Sequence, residues 1–266
     1  MITVLQEIDE ILVILEVSIP ANPASPENEK LARKMEEDMS TYFASLEQAF
    51  PYASLDAIYN RHVKVRESGP IGETEDLLDP MLRAFRANLV YRLNSHVITA
   101  YLAGSTQIIT WGVTKGGIPI AFEGPPIRQA IDYAREHCAQ LVTKMDDESK
   151  KLIAQTVSDA IENKRGIPGL ARDIRSQFED MSRTRSQTIA RTETCDALEQ
   201  GFMDRAEDMG ITGKEWIVTD PCPICEENGN EGVVPIDHVF SGGVERPPQH
   251  PNCRCALAPV MIKGEK

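Results

Sequence analysis

The chain of 266 residues has no long uncharged apolar run of the kind a bilayer requires. The stretch Asn94–Thr114 carries no Asp, Glu, Lys or Arg but is interrupted by Ser, Thr, Gln and Gly, so we expect a buried helix there rather than a span. The start is not expected to be a secretory leader. Its apolar stretch, MITVLQEIDEILVILEV, carries Glu7, Asp9, Glu10 and Glu16, where a leader would have a basic start and an uncharged middle. We therefore expect folding in a reducing cytoplasm, with thiols free for metal. Basic residues are in deficit as well: 28 Lys and Arg face 41 Asp and Glu, a net charge of −13. That balance argues against a surface that coats nucleic acid, because phosphate neutralisation needs excess cations. Residues 1–80 hold no glycine pattern for a nucleotide, and no internal repeat is visible.

Most of the chain has helical periodicity. Leu31, Met35, Met39, Tyr42, Phe43, Leu46 and Phe50 recur at three- and four-residue steps and mark one helical face, which Pro51 ends. Leu82, Phe85, Leu89, Leu93, Val97 and Tyr101 mark a second helix, with Pro80 at its first turn. Ile127, Ile131, Ala134, Cys138, Leu141 and Met145 mark a third. Asp146 or Asp147 is expected to cap a fourth, which buries Leu152, Ile153, Val157 and Ile161. After a Gly166–Pro168–Gly169 turn come a short helix with Leu170, Ile174 and Phe178, and then a long one opened by Ser182 and stopped by Gly210. Beyond Gly210 the helical period fades. KEWIVTD alternates like a strand, as does GIPIAF at 117–122. The expected fold is α+β and mostly α-helical. We divide it into an N-terminal helical region (1–78, ending in a polar linker over 66–79), a helical body (79–210) and a small C-terminal module (211–266).

That module cannot bury much apolar surface and needs a staple. Cys222 and Cys225 form a C-x-x-C knuckle. After 24 residues His250 and Cys253 repeat the gap as H-x-x-C, and Cys255 follows. Three thiolates and one imidazole compose a structural zinc site. Five donors compete for four places. Cys222, Cys225, His250 and Cys253 are the favoured set, with Cys255 the alternative fourth ligand. Two disulfides are the competing reading, against which stand the expected absence of a leader and the lone Cys138 and Cys195. A closed four-ligand site leaves no place for a catalytic water, so the expectation is no enzyme. The alternative is a metal-dependent nuclease of the HNH type, in which Asp237 and His238 would activate water. Against it, the second C-x-x-C and the closing metal-binding helix of such enzymes are missing.

Lys164–Arg191 holds seven basic residues against three acidic ones, in a chain otherwise acidic. Arg172, Arg175, Arg183 and Arg185 are the candidate nucleic-acid contacts, giving a third reading as a DNA-binding accessory protein. The plainer reading is a solvated helix face with ion pairs.

Four elements in order, the A-R-T-E of Ala190–Glu193, the G-x-x-W of Gly213–Trp216, the C-x-x-C of Cys222–Cys225 and the P-P-x-H-P-N-C-R-C of Pro247–Cys255, resemble the phage Mu F-like minor head protein family, also called phage head morphogenesis proteins. The resemblance is specific over about residues 155–260. It implies a structural protein of the phage or prophage head, acting in head morphogenesis and in DNA packaging or ejection at or near the portal. It further implies portal, capsid or scaffold partners and weak DNA contact, with neither membrane nor small-molecule substrate, and a location in the host cytoplasm during assembly and then in the virion. Arg191, Glu193 and Trp216 are its structural motif residues, with Arg191 and Glu193 expected to tie the long helix to the module. Lying two apart on a helix, those two cannot pair with each other.

Overall fold

The computed structural model describes residues 19–63, 71–116 and 126–262. The strand expected at 117–122 and the apolar start fall outside them. The chain is mostly helical, with one small antiparallel sheet near the C-terminus. Its helices are α1 (Pro26–Ala49), α2 (Tyr52–His62), α3 (Ile71–Trp111), α4 (Ile127–Glu162), α5 (Ile167–Asp180), α6 (Ser186–Asp208) and α7 (Pro223–Asn230). The strands are β1 (Gly213–Ile217), β2 (Val233–Pro235) and β3 (Ala256–Val260). A π-helical turn extends α3 over Gly112–Gly116, and another, Met181–Arg185, joins α5 to α6 without a break.

Three helix boundaries differ from those read in the sequence. Pro80 lies inside α3, which starts at Ile71. Leu78 is buried like Leu82 one turn on, so the apolar stripe holds the helix together across the proline, whose missing N–H removes a single bond. The boundary at 78/79 thus falls within one helix. Asp146 and Asp147 cap nothing, because α4 continues through them to Glu162. Asp146 is buried, accepting the Tyr42 hydroxyl at 2.8 Å and the Arg86 guanidinium at 2.8 and 2.9 Å. Ser182 sits within the π-helical turn rather than at a helix start, and Ser182 Oγ donates to Ser40 O at 3.2 Å. Gly210 does end α6, at φ 69°, and the Ile211 N–H returns to Ala206 O at 3.0 Å.

The chain packs as two compact units, each discontinuous in sequence. One comprises residues 35–94 and 135–187. Its core holds Met35, Met39, Phe43, Leu46 and Phe50 of α1, with Leu82, Leu89, Val142, Ile153, Val157, Ile174 and Phe178. The α1 stripe is therefore spent on intramolecular packing. The Phe50 and Phe178 rings meet edge to face at 5.7 Å. Leu152, expected in the core, is exposed.

The described residues of the second unit are 19–34, 95–116, 126–134 and 188–262. Here α3 and α6 cross with backbones in contact. A Cβ on Gly104 would lie 2.0 Å from Leu198 O, and one on Gly201 would lie 2.0 Å from Tyr101 O, so only glycine fits either place. Ala134 is buried, while Ile127 and Ile131, also expected in the core, are exposed. The sheet has the order β2-β1-β3. Register pairs Trp216 with Leu257 and Ile217 with Ala256. Trp216 is buried against Phe240, ring centroids 5.0 Å apart. Lys214 is fully buried too, donating to Glu245 O at 2.8 Å and lying 5.4 Å over the Phe240 ring. A staple alone does not hold the module; it also has a small aromatic core.

Candidate metal centre

Pro223 begins α7 at the first helical position and leaves Cys222 as its N-cap, in extended backbone. Cys225 follows within the first turn and is buried. This short helix was not legible in a stretch dense in Pro, Gly and Cys. The second half of the site comes from the turn before β3. The Cys253 N–H closes that turn onto His250 O at 3.1 Å, and Cys255 immediately precedes the strand.

These five side chains converge. The donor atoms of Cys222, Cys225 and His250 lie within 4.8 Å of one another, and so do those of Cys225, Cys253 and Cys255. Cys225 Sγ is 3.4 Å from His250 Nε2 and 3.9 Å from Cys253 Sγ. A tetrahedral zinc with bonds of about 2.3 Å to sulfur and about 2.05 Å to nitrogen sets ligand edges of about 3.8 Å (S–S) and about 3.6 Å (S–N). Both measured edges fit. His250 Nδ1 lies 2.8 Å from Pro251 O; donating there, it leaves the Nε2 lone pair facing the cluster.

The electrostatics suit a cation. Burial, reinforced by the neighbouring Cys253, pushes the Cys225 thiol up to about 12. The Cys253 thiol is pushed up as well, first by its hydrogen bond with Cys255 and then by burial. The Cys222 thiol is drawn down by backbone N–H groups of α7, chiefly that of Cys225. The Cys255 thiol is drawn down by Cys253. Trp216 Nε1 has no hydrogen-bond partner among the described residues, yet its closeness adds to the downward shift at Cys255. Protons or a cation must occupy so dense a set of sulfurs, because neighbouring thiolates repel.

Side chains of α6 seat the cluster. The Asn252 N–H donates to Thr192 Oγ1 and Asn252 Nδ2 to Thr188 Oγ1, both at 3.1 Å, so the A-R-T-E helix and the H-P-N-C turn meet through Thr192. Arg246 supplies a further link, which no sequence motif marks. Its guanidinium donates to Asp196 Oδ1 at 2.7 Å, to Asp196 O at 3.1 Å and to Gln200 Oε1 at 2.7 Å. Burial works against its charge, but Asp196 outweighs that and holds Arg246 above its ordinary range. Gln200 also donates to Asp204 Oδ1 at 2.7 Å, while Tyr133 and Tyr101 donate to Asp196 and Asp204. The only trace of this network in the sequence is the four-residue spacing of Asp196, Gln200 and Asp204 along α6. Glu199 is fully buried between them. Its Oε1 accepts the Leu257 N–H at 3.3 Å, its Oε2 has no partner among the described residues, and burial pushes its carboxyl well up. Arg191 and Glu193 are half-buried on the same helix.

The remaining candidates lie elsewhere. His238 Nε2 meets Glu231 Oε2 at 2.6 Å, and its ring packs on Phe240. Asp237 is exposed, and among the described residues neither Asp237 nor His238 belongs to a group of three donors able to share an ion. In the other unit, Arg185 turns inward to Glu148 (2.7 Å), Ser149 Oγ (3.0 Å) and the Phe43 ring, which removes it from the solvent-facing basic surface. Arg175 stacks over Tyr52 yet is exposed, as are Arg172 and Arg183. No helix among the described residues is long and apolar enough to cross a membrane.

Fold and site together define a helical protein carrying a three-stranded module closed by a Cys/His cluster. Residues 151–258 match the family model described as phage Mu protein F like protein, so this stretch is similar to that family. No curated protein and no solved structure matches the chain.

Proposed function

We propose that the protein is a minor head protein that acts structurally in phage head assembly, at or near the portal, with one zinc ion held by Cys222, Cys225, His250 and Cys253. The observation that carries this reading is the meeting of the family motifs around one cluster: the Thr192 hydroxyl on the A-R-T-E helix receives the backbone of the H-P-N-C turn beside five convergent donors. A zinc with four protein ligands supplies folding energy and keeps no place for a catalytic water. Portal and capsid or scaffold proteins are the proposed partners, in the host cytoplasm during assembly and then in the virion. DNA contact is secondary. With Arg185 committed inward, Arg172, Arg175 and Arg183 remain for phosphates, against a net charge of −13.

Co-expression with the portal protein tests the reading: the two should co-purify, and mass spectrometry of purified particles should find this chain in the head. Absence from particles, together with divalent-metal-dependent DNA cleavage that His238→Ala abolishes, would replace this function with the nuclease.

A further inference from the structure

The cluster holds five donors, and a tetrahedral ion uses four. The fifth sulfur is neither remote nor turned away. Cys255 Sγ lies within the same 4.8 Å group as Cys225 and Cys253. Its place is set by the sheet, since the next residue, Ala256, is in register with Ile217 of β1, and its sulfur accepts the Thr219 backbone N–H. Arg254, between the two cysteines, reaches away to Asp220 at 3.4 Å, as expected where alternate side chains of an extended segment face opposite sides. His250 is held more lightly. It is half-buried, sits in a turn rather than a strand, and its ring is oriented by the carbonyl of the adjacent exposed residue, Pro251.

Resting on the reading of this cluster as a zinc site, we propose that Cys255 is an exchangeable fifth ligand, which takes the place of His250 at the ion and converts a three-sulfur, one-nitrogen site into a four-sulfur site. Cys225 and Cys253 stay bound throughout, because both belong to the triad that contains Cys255. Cys222 and Cys255 lie in different triads, so the ion shifts toward β3 as the exchange occurs. Cysteine turns about a single side-chain dihedral, so the sulfurs follow with no change of strand register. In the exchange the Cys255 thiol gives up its proton as its sulfur bonds the ion, and the released His250 Nε2 can accept a proton. The net charge of the site therefore changes only if that proton leaves. Such a site holds a thiophilic divalent cation through a rearrangement of the half-exposed His250 turn and keeps the sheet stapled meanwhile.

The test uses the full chain loaded with Co(II), whose sulfur-to-metal charge-transfer absorption scales with the number of bound thiolates, alongside zinc stoichiometry. Wild type should bind one ion with three thiolates. His250→Ala should still bind one ion, with charge-transfer intensity increased by about one third, as four sulfurs replace three, and with affinity within about tenfold of wild type. Cys255→Ser should leave the wild-type spectrum unchanged, and the double variant should lose at least about a hundredfold in affinity. If Cys255→Ser lowers the thiolate count, Cys255 is a primary ligand and the exchange is wrong; this arm stands even if His250→Ala does not fold. A folded His250→Ala chain that binds no ion also overturns the exchange while leaving a zinc site with His250 in place. Wild type that binds no ion overturns both the exchange and the zinc site.

Discussion

Glu199 and Arg246 show how one helix carries two opposite solutions for buried charge. Arg246 is surrounded by acceptors, and truncating it would leave Gln200 Oε1 without its guanidinium donor and Asp196 with Tyr133 but no cation. We expect Arg246→Ala to cost about 2–4 kcal/mol and to loosen the module from α6, read as a lower denaturant midpoint and faster hydrogen exchange in residues 244–257. An unchanged midpoint would show that the network contributes nothing. Glu199 has one backbone donor and a bare second oxygen, so folding raises its pKa. The native state then holds a proton that the unfolded state releases above the ordinary value of 4.5. Stability from this group is thus fully present below that value and is lost as pH rises toward the raised one, at about 1.4 kcal/mol per pH unit. Glu199→Gln should flatten the fall in stability as pH rises above 4.5 and raise the melting temperature there. A parallel pH profile in the variant would count against this account.

At the scale of elements, the close approach of α3 and α6 requires two glycines. Gly104 faces Leu198 O and Gly201 faces Tyr101 O at distances no methyl group can share. Gly201→Ala should therefore destabilise by about 3 kcal/mol or more, although alanine is the better helix former. The alternative outcome, stabilisation by about 1 kcal/mol from helix propensity alone, would mean that the helices separate at little cost. The same crossing supports the site indirectly, since Asp196 and Gln200, which hold Arg246, lie on α6 within a turn or two of the contact.

For the whole molecule, the module combines a Cys/His cluster able to hold a metal ion with the small core of Trp216, Phe240 and Leu257. Removing zinc with a chelator should open residues 219–253 to protease and leave the helices intact by circular dichroism. Cys222→Ser should do the same without chelator. Acid should also release the ion, because without a cation the Cys225 thiol holds its proton up to about 12, so metal and proton compete and affinity falls with pH. A proteolysis pattern indifferent to chelator would remove the staple from the account. DNA affinity should be weak and fall steeply with salt, since the chain carries a net charge of −13 and Arg185 of the 164–191 patch is turned inward. Arg172→Ala with Arg183→Ala should weaken it, whereas Arg185→Ala should act on stability. Tight binding near physiological salt would reverse that order.

The cysteine and histidine spacing, the helix-ending Gly210, the β1 alternation and the family motifs were determined by sequence alone, because each is a local pattern whose chemistry needs only neighbours. The Cys222–Cys225 gap implies a knuckle wherever it folds. The continuity of α3 through Pro80 and of α4 through Asp146 was decided by tertiary packing: burial on both sides of Pro80 outweighs one lost hydrogen bond, and Tyr42 and Arg86 give Asp146 partners that make a cap unnecessary. The inward turn of Arg185 and the clasp of Arg246 on Asp196 likewise depend on residues about 40 and 50 positions away. No periodicity encodes such pairings, because charge pairs through space and not along the chain.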